Sequence, residues 1–293
     1  MPFSRFRSMF NMIKTTLEWL RPFQNQRPRD KSLKGADRER FDNVLQLPQL
    51  PEMVFAENLL RLQHKNGYGI EFNALDALKR VDSENDPLQV AVSDAWKNAR
   101  ANCEYIKQVL KPFDWTFTTD YKGTVFAKDE QHTINIVPTT DRIDLEKLKK
   151  REKILFYQDI LLFEDELADN GTSMMNVKIR VMPSGLFILL RFFMRVDNVM
   201  IRVNDTRVYH EAGTNYILRE YSSRDDKVSD IKVPTFMFTD PNEICSHLTI
   251  RTEAFEKLIL PCDASANLSS SPSKTATETA SNSCHTDDQS GLR

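Results

Sequence analysis

The longest run with a single hydrophobic pattern is Val177 to Tyr221, and it predicts an antiparallel meander. Val177, Ile179 and Val181 alternate with Lys178 and Arg180 as far as Pro183-Ser184-Gly185, the period-two pattern of a half-buried strand closed by a turn. Leu186 to Val196 is apolar except for Arg191 and Arg195, as expected of a central strand covered on both faces. Asp197-Asn198 marks its end. Val199, Ile201 and Val203 then alternate with Met200, Arg202 and Asn204, and two short strands follow at Arg207 to Tyr209 and Tyr216 to Tyr221, separated by Gly213.

Upstream, Pro48 and Pro51 hold an extended entry, and Val54 to Leu62 reads as a strand. A turn at Gly67-Tyr68-Gly69 leads to an extended Ile70 to Phe72, and Asn73 is placed to cap a short helix carrying Leu75, Asp76 and Leu78. Asp86-Pro87 opens a second helix whose apolar face, Leu88, Val92, Ala95, Ala99 and Cys103, continues to Lys111-Pro112. Phe113 to Tyr121 alternates aromatic with polar residues and predicts a strand, followed by others at Thr124 to Ala127 and Thr133 to Val137. From Asp144 to Asn170-Gly171 the apolar positions Leu148, Leu155, Phe156, Ile160, Phe163 and Leu167 predict one long helix. Its charges run against the macrodipole, with lysines first and Glu164, Asp165, Glu166 and Asp169 last. Beyond the meander, Ser222 to Val233 reads as turn-like, Pro234 to Phe238 as a short strand or loop, and Asp240-Pro241 as the start of a helix carrying Ile244 and Leu248.

These elements predict one α+β domain: antiparallel β-sheets, arranged as a sandwich or an open barrel, with peripheral helices and disordered termini. Residues 1–33 form a basic extension in which Met9, Ile13, Leu17 and Leu20 have helical spacing, residues 34–261 form the domain, and residues 262–293 form a Ser/Thr-rich tail too polar to fold. Charge alters this picture only at the start of the chain. The net charge is -2, but residues 1–43 hold ten Lys/Arg against five Asp/Glu, which leaves the rest near -7. An acidic body argues against nucleic acid as a partner. The most apolar run, Leu186 to Val196, is too short to span a bilayer, so a membrane role is not expected. Cys103, Cys245, Cys262 and Cys284 lie far apart, which suits a reducing cytoplasm, with the nucleus as a second compartment.

Candidate chemistry is sparse. No GxSxG, Walker A or GxGxxG motif occurs, and His210-Glu211 lacks the second histidine of HExxH. The five histidines have no ligand spacing, and no metal or other cofactor is expected. A binding protein is the expectation, against an alternative in which Asp205, His210 and Glu211 serve a hydrolase of unrecognised class.

Several long motifs recur in order from about Ser32 to Pro261: LPEMVF (Leu50 to Phe55), GIEFNALDAL (Gly69 to Leu78), KPFDWTFTTDYKGT (Lys111 to Thr124), VPTTDRIDLEKLKKRE (Val137 to Glu152), LLRFFMRVDNVMIRVNDTRVYHEAG (Leu189 to Gly213) and LREYSSR (Leu218 to Arg224). In these the chain resembles the TOR signalling pathway regulator-like (TIPRL) family. The resemblance implies a non-catalytic, monomeric regulator of the catalytic subunits of type 2A, type 4 and type 6 protein phosphatases, inhibiting or remodelling them in TOR signalling. It also implies a cleft for the phosphatase's extended C-terminal tail, with Asp76, Ile143, Val203, Asp205 and Arg207 at the matching positions and Tyr221 nearby. Val203 stands where relatives often carry Met, and Met1 to Lys31 departs from the family pattern. A tail ending in a carboxylate needs a guanidinium fork, for which Arg207 or Arg202 is placed. Asp205 then either holds Arg207 or accepts hydrogen bonds from the bound backbone.

Overall fold

A computed structural model describes residues 35–45, 47, 49–81 and 116–261. The expected helix over Asp86 to Lys111, Cys103 with it, and the two terminal segments 1–33 and 262–293 lie outside the described residues. The described residues belong to one compact unit that ends at Pro261.

Eleven strands form two antiparallel sheets among these residues. The larger has the order β1 (Met53–Val54), β6 (Phe156–Asp165), β7 (Gly171–Met182), β8 (Gly185–Val196), β9 (Met200–Glu211), β10 (Tyr216–Lys227), β11 (Ile250–Ile259) and β5 (Asn135–Pro138). The smaller joins β2 (Leu59–Gln63), β3 (Gly69–Asn73) and β4 (Thr124–Phe126). Alternation drives the packing, because side chains at every second position share a face. Val177, Ile188, Leu190, Phe192 and Val208 point to the inner face and form one core with Leu62, Ile70 and Phe72 of the small sheet and Phe41 of helix α1 (Gly35–Val44). The architecture is therefore the two-layer alternative rather than the barrel. Helix α2 (Ala74–Leu78) follows β3 as expected, with the Asn73 side chain accepting from the Asp76 N–H at 2.8 Å.

Among the described residues, clusters of buried apolar side chains cover the outer face of the large sheet at its two ends. At one end Phe193, Ile201 and Val203 pack under Ile244, Cys245 and Leu248, which follow the Asp240 cap of helix α4 (Pro241–Ile244). At the other, Tyr209 and Leu218 pack under Ile143 and Leu148 of the segment containing helix α3 (Leu145–Lys149).

Several sequence expectations need correction. The long helix from Asp144 stops at Lys149, and Phe156–Asp165 is a strand paired with β7 across a bulge between Leu161 and Phe163. That bulge shifts the alternation by one residue, so Phe156, Ile160 and Phe163 match a helical period although they lie on a strand. Phe113 to Trp115 lies outside the described residues, and Thr116 to Tyr121 is irregular, joined to Val81 through a single bridge at Thr119. Ser222 to Lys227 is not a turn but the second half of β10, its polar side chains pairing across the sheet. The run Val54 to Leu62 also divides into β1 and β2, and Arg207 to Tyr209 is not a separate short strand but continues β9 from Met200 to Glu211.

The acidic cluster after β6 has a structural task. Leu167, Ala168 and Asp169 adopt φ of 49°, 54° and 64° in succession, a left-handed turn that side chains with a Cβ resist. Asp165 holds it, accepting the Leu167 N–H at 2.6 Å and, from the residue before β1, the Glu52 N–H at 2.9 Å. Burial pushes the Asp165 carboxyl up to about 6, against the opposing effect of those two donors. A raised carboxyl binds its proton more tightly in the folded state, so this stabilisation is present below pH about 4 and lost as pH rises through about 6. Relative to Asp165→Asn, the wild type should therefore lose about 1–3 kcal/mol of unfolding free energy between pH 4.5 and 7, measured by urea denaturation at each pH.

Candidate partner-binding site

Strand alternation divides the residues that the motifs single out. On β9, Val203, Asp205 and Arg207 face outward with Tyr209, whereas Arg202, Asn204 and Thr206 face inward. Tyr221 lies opposite Thr206 and so shares the inner face. Ile143 joins the outward set by packing on Tyr209 and Leu218. Asp76 belongs to the inner layer.

The outward set borders a trough. Between the two covered ends, Leu189, Arg207, Glu220 and Phe255 are directly opposite one another on four adjacent strands, β8 to β11, and all are half-buried. With strands about 4.8 Å apart, this row runs for roughly 14 Å, the reach of about four extended residues. Arg207 makes no hydrogen bond or ion pair among the described residues. Its cross-strand neighbour Glu220 instead accepts the Ile143 N–H at 2.7 Å. Asp205 does not hold Arg207. It is buried, and both its oxygens accept from Arg191, Nε and Nη2 each at 2.7 Å, while Arg191 Nη1 donates to Asn242 at 2.8 Å. This pair fastens the loop carrying α4 to the sheet and leaves Arg207 beside it with no ion-pair partner among the described residues. Val203 is fully buried under Ile244 and Leu248, so it shapes the wall from behind.

The inward set lies at a groove of about 610 Å³ between the end of α2 and the large sheet, where Arg202 and Tyr221 both contribute. Arg202 donates to Asp225 at 3.3 Å and Thr118 at 3.0 Å. Burial pushes the Tyr221 hydroxyl up to about 12, so it stays protonated. Asp76 is spent on structure: it accepts from Asn73 at 2.9 Å, Thr124 at 2.7 Å and Lys79 at 3.1 Å, tying α2 to β4. Burial raises its pKa, but these donors outweigh that and hold the carboxyl below its usual value. Asp76→Ala should cost about 1–2 kcal/mol of stability, read from the urea midpoint, because it removes the acceptor that joins Thr124 to α2, while Asn73 keeps Glu71 at 3.0 Å.

The hydrolase alternative lacks a shared site. Asp205 and His210 point to opposite faces of β9, His210 is buried and hydrogen-bonded to the Tyr216 carbonyl at 2.9 Å, and Glu211 pairs with Lys147 at 2.9 Å. Burial also holds His210 below its ordinary pKa. No cluster of three or more His, Cys, Asp or Glu side chains suited to a metal is present among the described residues.

Sequence reasoning missed Arg191, Glu220 and Phe255. The first is visible only as a charge inside an apolar strand, a signal of a buried partner. The other two emerge only from strand register.

Comparison with known proteins agrees with the motifs. Residues 53–232 match the TIP41-like family. The chain is 52% identical over 247 residues to the human TIP41-like protein, covering 84% of this chain and 90% of the human one. It is 42% identical over 241 residues to the TIP41-like protein of Dictyostelium discoideum, covering 78% and 87%. It is also 43% identical over 197 residues to the Saccharomyces cerevisiae type 2A phosphatase activator TIP41, covering 62% and 54%. With its motifs, its two-sheet fold and these matches, the chain belongs to the TIP41-like family.

Proposed function

We propose that this chain is a regulator of type 2A protein phosphatases, binding the catalytic subunit by taking its C-terminal tail into the outer trough. Relatives named as type 2A phosphatase activators support the partner class. The observation that carries the mode of binding is Arg207, a guanidinium with no hydrogen bond or ion pair among the described residues, in the middle of a row of half-buried side chains between two walls. An extended segment laid there gains apolar contact with Leu189 and with the Phe255 ring, on which the Arg142 guanidinium already stacks at 3.3 Å, and a carboxylate on it gains the fork of Arg207. Binding restrains or remodels the phosphatase within TOR signalling, and it extends to the type 4 and type 6 catalytic subunits. The chain acts in the cytoplasm as a monomer.

Mixing purified chain with each of the three catalytic subunits tests this reading. A stable one-to-one complex on gel filtration, with altered phosphatase turnover, is expected for each. Absence of a complex with the type 2A subunit overturns the reading.

A further inference from the structure

The inner groove lies on the opposite face of the sheet from the trough, and its chemistry is different. Its acceptors are already filled. Both oxygens of Asp120 accept from Arg80, Nε and Nη2 each at 2.7 Å, and Asp225 accepts from Arg202 at 3.3 Å and from Arg251 at 2.8 Å. Asn204 accepts from Ser223 at 2.7 Å and donates to the Thr119 carbonyl at 2.9 Å.

Its donors are in surplus. A guanidinium carries five N–H groups, yet among the described residues nothing accepts from Nη1 of Arg80 or Nη2 of Arg202. Lys79 spends one of its three N–H groups on Asp76 at 3.1 Å. Tyr221 lines the same groove as Arg80 and Arg202, its hydroxyl hydrogen-bonded to Ser223. A groove whose acceptors are taken and whose cationic donors are not is complementary to a ligand that only accepts. Two forks and a neutral hydroxyl suit a tetrahedral oxyanion, since each guanidinium can take two oxygens.

We propose that this groove is a phosphoryl-binding site, in which Arg80 and Arg202 clamp the oxygens and Tyr221 donates to them. A volume of about 610 Å³ accommodates the phosphoryl group together with the chain that bears it. The shared chemistry is the phosphate dianion, whose source is either a phosphorylated side chain of a protein or free phosphate. This site stands whether or not the trough binds a phosphatase tail, because neither Arg80 nor Arg202 faces the trough.

The test is calorimetric titration of the full chain with inorganic phosphate, with a phosphoserine heptapeptide and with the same peptide unphosphorylated, at constant ionic strength. Saturable binding of a phosphorylated probe, weakened at least tenfold by Arg80→Gln, is expected. Arg80 and Asp120 are both half-exposed, so this variant leaves the fold intact. Arg202→Gln should weaken binding likewise, and circular dichroism checks its fold. A phosphopeptide that binds tenfold more tightly than inorganic phosphate identifies a protein source, and equal affinities identify free phosphate. Absence of saturable binding by both phosphorylated probes, equal binding of the unphosphorylated peptide, or affinity unchanged in Arg80→Gln overturns the proposal.

Discussion

Replacing Asp205 by alanine should lower the unfolding free energy by about 3–5 kcal/mol, the scale on which removal of one partner of a buried ion pair acts. Asp205 is 1% exposed and receives two hydrogen bonds from Arg191, itself 9% exposed. Without the carboxylate, the guanidinium stays buried with only Asn242 as partner. The urea midpoint should fall with little change in slope, because the surface exposed on unfolding is nearly the same. Replacing both residues together, as Asp205→Leu with Arg191→Met, should recover most of the loss, since no charge is then left unpaired. A single variant within about 1 kcal/mol of wild type would show that solvent reaches Arg191. The same arithmetic governs any binding defect in Asp205 variants: they lose the loop carrying α4 before they lose a contact.

Arg207→Ala should do the reverse, weakening a phosphatase tail peptide by about 1.5–3 kcal/mol while leaving the fold unchanged. That range corresponds to roughly ten- to 150-fold in affinity. Stability should hold because Arg207 forms no hydrogen bond or ion pair among the described residues. Titration of the peptide in a calorimeter, with thermal unfolding of the same samples, separates the two effects. Arg207→Lys should restore only part of the affinity, since a point charge replaces a planar fork. Equal affinity in wild type and Arg207→Ala would remove Arg207 from the site.

Much of this fold can be read from alternation, and its failures have a shared cause. Leu186 to Val196 and the capped turn at Asn73 follow directly from pattern, because one period or one cap suffices to define each. Phe156 to Asp165 misleads because a single bulge imitates a helical period. Ser222 to Lys227 misleads differently: Ser223 and Asp225 gain partners only once β9 lies alongside, so their polarity imitates a turn. The candidate site is legible in part. Motifs lead to Arg207 and Asp205, but a run from Arg202 to Arg207 on one strand necessarily serves two faces, which alternation already implies. The row from Leu189 to Phe255 depends on register across four strands, and no local pattern encodes register.

The central claim is that the outer trough engages the C-terminal tail of a type 2A catalytic subunit. It is tested most directly by comparing the affinity of this chain for the intact catalytic subunit and for one lacking only that tail. Loss of at least tenfold on tail removal, with Arg207→Ala causing no further loss against the shortened subunit, is the predicted result. Equal affinity for the two subunits would contradict it.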